Sequence, residues 1–167
     1  LSIGANHLVH ALRRNVNLTI LLLNNRIYGL TKGQYSPTSP VGTVTKSSPD
    51  GSPDAPLDPV SLALGAGATF VARTMDCDRS TLAAVLESAA RHRGASLVEI
   101  YQNCVVFNDG AHAALRGPGS VEALIPLRPG EPIRFGHDDH LGVVADGNGG
   151  VRVAEVAETG PGAVLVH

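Results

Sequence analysis

Apolar positions recur at helical spacing at the start of the chain. Ile3, Leu8, Val9 and Leu12 share one face, and Arg13 and Arg14 follow where positive charge suits the helix dipole. The pattern predicts a helix already under way at Leu1, with Asn15 as its C-cap. Residues 17–23 then form a short, almost unbroken apolar run, as expected of a parallel strand buried on both faces. A second short helix is predicted over 59–66, ending at Gly65 or Gly67, and a second strand over 69–72. Asp78 opens an amphipathic helix with Leu82, Val85, Leu86 and Ala89 on one face; Arg91, His92 and Arg93 fill its last turn and Gly94 caps it. A third strand is predicted over 97–101. This alternation of strands and helices predicts an α/β fold, a parallel sheet with helices on both faces joined by right-handed crossovers.

Two stretches break the pattern. Residues 35–59 are rich in Ser, Pro, Gly and Thr, and a loop of that length is usually functional or disordered. After Arg116-Gly117-Pro118-Gly119 the composition shifts to Gly, Pro and acidic residues. Short strands near 141–145 and 151–156, around Gly147-Asn148-Gly149-Gly150, predict a hairpin. The expected organisation is a main domain over 1–117 and a small C-terminal β extension over 118–167, with no internal repeat.

Composition narrows the picture without deciding it. The 167 residues are 43% hydrophobic and 17% charged with a net charge of −2, which suits a globular domain with a sizeable core. Near-neutral charge gives no electrostatic reason to expect nucleic acid or a membrane surface as partner. No signal peptide and no apolar run of membrane-spanning length is visible. Two cysteines are too few for a disulfide scaffold, so a reducing cytoplasm is the expected location. The single methionine is Met75, and both ends fall in apolar, element-like sequence. The expectation is a segment of a longer protein.

The chemistry concentrates where the first strand stops. Ile20 to Leu23 runs into Asn24-Asn25, followed by Arg26-Ile27-Tyr28-Gly29-Leu30-Thr31-Lys32-Gly33-Gln34. Open parallel sheets place ligands beyond the carboxyl ends of their strands. An asparagine amide oxygen is a neutral hard donor, suited to Mg2+ when carboxylate and phosphate oxygens bring the charge. The plainer alternative is that paired asparagines simply end a strand in a turn. Gly29 and Gly33 permit close backbone approach. Other candidates are weaker. His137-Asp138-Asp139-His140 reads as a solvated loop, His7 and His10 as ordinary helix residues, and Cys77 as incidental. Gly65-Ala66-Gly67 precedes a strand where a dinucleotide fingerprint would follow one. Cys104, just past the third strand, would by itself be a small buried hydrophobe.

Taken together, residues 24–34, Tyr35-Ser36-Pro37-Thr38-Ser39, and Tyr101-Gln102-Asn103-Cys104-Val105-Val106-Phe107-Asn108-Asp109-Gly110 resemble the beta subunits of 2-oxoacid:ferredoxin oxidoreductases, above all the 2-oxoglutarate branch. Asn24-Asn25 resembles the second half of the thiamine diphosphate motif that opens with Gly-Asp-Gly. The similarity is weakest after Leu127.

The resemblance implies a thiamine diphosphate-binding fold. Mg2+ would be held by Asn25 and the backbone carbonyl of Ile27, with the motif's Asp lying before Leu1. Tyr28, Gly29 and Thr31 would lie against the cofactor, and Leu30 and Lys32 would line the 2-oxoacid pocket, where Lys32 suits the distal carboxylate of 2-oxoglutarate better than it suits pyruvate. Cys104 would be the fourth thiolate of a [4Fe–4S] cluster, the other three lying upstream; Asn108-Asp109-Gly110 would turn the chain behind it. No residue here matches the family's catalytic carboxylate, so none is assigned a catalytic role. The implied reaction is oxidative decarboxylation of a 2-oxoacid to acyl-coenzyme A, with an alpha subunit as partner and ferredoxin as electron acceptor. The alternatives are a pyruvate-using or broad-specificity relative, a non-redox thiamine decarboxylase or carboligase, and a non-catalytic subunit-docking module.

Overall fold

The computed structural model describes residues 3–167. The chain divides into two compact units, one reaching to Ala111 and the other spanning His112–His167. The division falls a little before the composition shift at Gly117.

The first unit is built on a 3-stranded parallel sheet in the order β1-β5-β4, from β1 (Leu18–Asn24), β4 (Phe70–Met75) and β5 (Ala95–Tyr101). Helices α1 (Ala5–Arg13) and α2 (Pro59–Gly65) pack on one face, where Leu8, Leu12, Ala63, Ala95 and Leu97 form a cluster joined by Ile20, Leu22 and Val71. Helix α3 (Arg79–Arg91) covers the other face, over Val98, Ile100 and Phe70. Helices therefore lie on both faces, as the alternation of elements requires.

Several boundaries differ from expectation for local reasons. Leu1 and Ser2 lie outside the described residues, and Ile3 sits ahead of α1 at 97% exposure. Asn15 is one residue past the cap, in the left-handed region at φ 48, and its amide oxygen accepts from Ala95 N–H at 2.8 Å. Strand β1 is not buried on both faces. It is an edge strand among those described, and Leu21 and Leu23 are half exposed; the doubly buried strand is β5. α3 is capped by Asp78, whose carboxylate accepts from Thr81 N–H, and it ends at Arg91. His92 is extended, stacks near Phe70 and bonds Thr69, so it lies outside the last turn. Gly94 does not cap α3. A Cβ there would lie 2.3 Å from Asn15 Oδ1, so the glycine admits the asparagine that ties α1 to β5.

A hairpin that the sequence leaves unmarked follows β1. Strands β2 (Ile27–Tyr28) and β3 (Gln34–Tyr35) pair antiparallel, too short for any periodicity. In the second unit, β7 (Leu141–Ala145) and β8 (Val151–Glu155) form the expected antiparallel pair, extended by β6 (Arg134–Phe135). Val144, Ala154 and Val164 make its small core. Among the described residues no helix is long and apolar enough to cross a membrane.

Candidate functional site

The carboxyl end of β1 carries the site, and the paired asparagines do different things there. Asn24 is buried. Its Nδ2 donates to Glu99 Oε1 at 2.7 Å, while its Oδ1 accepts from the Thr38 hydroxyl at 2.7 Å and from Arg26 N–H at 3.1 Å. Both lone pairs of its amide oxygen are taken. Asn25 is half-buried, and among the described residues its Oδ1 accepts only a long bond, 3.2 Å, from Ile27 N–H. Asn25 is thus the member of the pair with a lone pair to offer. Between them and the hairpin, Arg26 takes the left-handed region at φ 55.

The hairpin presents the residues of the motif. Ile27 is buried in β2, while Tyr28 is partly exposed beside it. Gly29, Leu30, Thr31 and Lys32 form the tip, closed by Lys32 N–H to Gly29 O at 3.0 Å and Gly33 N–H to Tyr28 O at 2.9 Å. Leu30 is 98% exposed, and Thr31 and Lys32 also face outward. Lys32 and Gly33 both have positive φ, at 72° and 97°. Gly33 meets a further restriction: a Cβ there would come within 2.9 Å of the Phe107 ring.

That ring belongs to the Cys104 segment, so the structure brings the separated motifs together. Asn108 Nδ2 donates to Asn25 O at 2.9 Å, and Phe107 packs on the hairpin tip. Cys104 is half-buried in the turn closed by Asn108 N–H to Cys104 O. An open cavity of about 460 Å³ is lined by Lys32, Gly33, Val44, Thr45, Lys46, Pro49 and Phe107. Lys46 went unmarked in the sequence because it lies in the Ser/Pro-rich loop. That loop is docked and hydrogen-bonded. Ser39 Oγ donates to Arg26 O at 2.6 Å, Leu57 N–H bonds Pro37 O, and Ser52 exchanges backbone bonds with residues 42 and 43.

Glu99, Arg73 and Asp58 were also unmarked. Arg73 Nε donates to Glu99 Oε2 and its Nη2 to Asp58 Oδ1, each at 2.7 Å, and the Arg26 and Arg73 guanidiniums each lie over the Tyr101 ring, 5.4 and 5.2 Å from its centre. The only sequence signal was a lone carboxylate inside an otherwise apolar strand. Burial alone would raise the Asp58 carboxyl, but bonds from Ser61 and Val60 N–H and the Arg73 charge outweigh it and hold it below its ordinary value. A depressed folded pKa stabilises the fold above the unfolded value near 3.8, and that stability is lost as pH falls through the lower folded value. The Asp58 contribution to thermal stability should therefore hold from neutrality to about pH 4 and decline below it. Asp58→Asn should flatten part of that acid limb; an unchanged limb would exclude the contribution.

These residues fit a divalent ion that brings its own anions. Asn25 Oδ1 is a neutral oxygen with spare capacity at a strand end, suited to Mg2+ shared with a diphosphate. They do not fit an iron–sulfur cluster by themselves. Among the described residues no three His, Cys, Asp or Glu side chains could hold a metal together, and Cys77 is exposed. His137-Asp138-Asp139-His140 is a surface turn in which His140 Nδ1 bonds His137 O. Gly65-Ala66-Gly67 ends α2, and His7 and His10 are exposed on α1.

Comparison with known proteins places the chain in a family. Residues 1–100 match the model for the thiamine pyrophosphate enzyme C-terminal TPP binding domain. The chain is 61% identical over all 167 residues to the 2-oxoglutarate oxidoreductase subunit KorB of Mycobacterium tuberculosis, covering 44% of that protein. It is 43% identical over 103 residues, 62% of the chain, to a 2-oxoglutarate synthase subunit KorB of Archaeoglobus fulgidus, covering 39% of it. A solved 2-oxoglutarate:ferredoxin oxidoreductase from Magnetococcus marinus, with 2-oxoglutarate, coenzyme A and succinyl-CoA bound, superposes with a TM-score of 0.63 at 42% identity, over 65% of this chain and 37% of that one. The chain thus spans less than half the length of these relatives. It belongs to the thiamine pyrophosphate enzymes and carries their C-terminal TPP binding domain.

Proposed function

We propose that the chain is the thiamine-binding part of a 2-oxoglutarate:ferredoxin oxidoreductase beta subunit. With its alpha subunit the whole enzyme would convert 2-oxoglutarate and coenzyme A to succinyl-CoA and CO2, passing electrons to ferredoxin. Asn25 Oδ1 and the Ile27 carbonyl would hold Mg2+, and Tyr28, Gly29 and Thr31 would lie along the cofactor. Leu30 and Lys32 would bound the substrate pocket. Bound thiamine diphosphate supplies the nucleophilic carbon and the electron sink that loss of CO2 demands. The residues named here position it and neutralise charge around it.

The observation that carries this reading is the junction of two motifs: Asn108 of the Cys104 segment holds the Asn25 carbonyl, and Phe107 seats on the hairpin tip. A cysteine in the segment packed against this turn favours redox chemistry over a carboligase. Four thiolates are normally needed for a [4Fe–4S] cluster, so Cys104 would be the one ligand given by these residues. In the full-length enzyme with its partner, Cys104→Ser should lower bound iron and leave thiamine diphosphate affinity unchanged. Wild-type iron content in that variant would remove Cys104 from the ligand set.

The reading as a whole is tested anaerobically on the same complex, supplied with thiamine diphosphate, Mg2+ and coenzyme A. Substrate-dependent reduction of ferredoxin or a viologen should be strong with 2-oxoglutarate and weak with pyruvate. Equal rates would keep the enzyme class and defeat the substrate assignment. No reduction with either acid would leave the docking-module alternative standing.

A further inference from the structure

We infer that Glu99 is the positioning residue of the Asn24–Ile27 turn, acting through Asn24 on the oxygen that Asn25 offers to Mg2+. This inference rests on the function proposed above. Glu99 is 1% exposed in the central strand β5, where an ionised carboxylate is costly unless fully bonded. The sheet register places Glu99 beside Leu22 on β1 and Arg73 on β4, so the side chain reaches Asn24, two positions further along β1 on the same face.

A carboxylate can only accept hydrogen bonds, and that settles the Asn24 amide. Its NH2 must face Glu99, at 2.7 Å, which turns the amide oxygen to the Thr38 hydroxyl and Arg26 N–H. Capture of Arg26 N–H sets the left-handed residue that swings the chain back. Ser39 then holds the Arg26 carbonyl at 2.6 Å, and Asn108 holds the Asn25 carbonyl at 2.9 Å. With the amide reversed, an NH2 would confront Arg26 N–H and lose the turn.

Well-packed apolar replacements of buried ion pairs are often neutral or better. Arg73 also keeps a second partner in Asp58. The requirement that only Glu99 meets is directional.

The test measures Mg2+-dependent thiamine diphosphate affinity, by calorimetry, in the full-length enzyme with its partner, beside a thermal melt. Glu99→Leu should weaken affinity about 10- to 100-fold, the usual cost of removing a residue that orients a metal ligand. Glu99→Gln, whose single oxygen must serve either Asn24 or Arg73 Nε–H, should fall between Glu99→Leu and wild type. Arg73→Met should lower stability while leaving affinity near wild type, because Glu99 still holds Asn24. Asn24→Asp, which sets like charges face to face, should reproduce the affinity loss, and it answers the question even if Glu99→Leu fails to fold. Wild-type affinity in folded Glu99→Leu or Asn24→Asp would overturn the inference, as would affinity losses in Arg73→Met matching those in Glu99→Leu. Absence of Mg2+-dependent binding in the wild type would instead defeat the proposed function.

Discussion

Asn25→Ala should weaken thiamine diphosphate binding about 100-fold in the presence of Mg2+. Loss of an outer-shell partner of a metal ligand already costs about 10- to 100-fold, and here the ligand atom itself goes. The substitution also removes the 3.2 Å bond to Ile27 N–H, a loss of about 1 kcal/mol that a thermal melt would register separately. Asn25→Asp keeps the oxygen but sets a negative charge beside the diphosphate, so it should fall between alanine and wild type. Calorimetric titration of the full-length enzyme, paired with its partner, reads all three. Equal affinities would show that Asn25 merely turns the chain.

Lys32→Ala should lower kcat/KM for 2-oxoglutarate about 10- to 100-fold, the range expected when a charged hydrogen bond of about 1.5–3 kcal/mol is lost. The rate with pyruvate, which has no distal carboxylate, should not fall. Lys32 already sits at φ 72, and alanine at that position carries the same backbone cost. The change therefore isolates the ammonium group. Its surroundings set what else could matter. Lys46 lines the same cavity, and residual selectivity in Lys32→Ala would point to it. Unchanged kinetics with both acids would make Lys32 an ordinary solvated lysine.

The layered fold was readable because its signals are local. Leu8 and Leu12 repeat at helical spacing and are buried, and the run from Leu18 to Asn24 is a strand. The position of that strand in the sheet was not readable. An apolar strand reads the same at an edge as at the centre, and the register that makes β5 central couples residues far apart in sequence. The β2–β3 hairpin escaped because strands of two residues have no period; Gly29 and Gly33 flanking its tip were the available signal.

The same limit applies at the site. The end of the apolar run at Asn24-Asn25 marked the place, and the resemblance supplied roles for residues 25–32 and Cys104. Which asparagine is consumed by the fold depends on Glu99, 75 positions away, and on Thr38 in a loop whose composition says only that it is polar. Arg73 and Asp58 read as surface charges until the sheet brings them to Glu99. Hydrogen-bond direction at Asn24 is a property of the assembled sheet.

The most direct measurement is a thiamine diphosphate titration of the full-length enzyme with its partner, first stripped of divalent ions by a chelator and then resupplied with Mg2+. The expected result is little binding without the metal and full binding on its return, with Asn25→Ala failing to recover. Tight binding that ignores both chelation and Asn25 would contradict the assignment of this turn as the metal and diphosphate site.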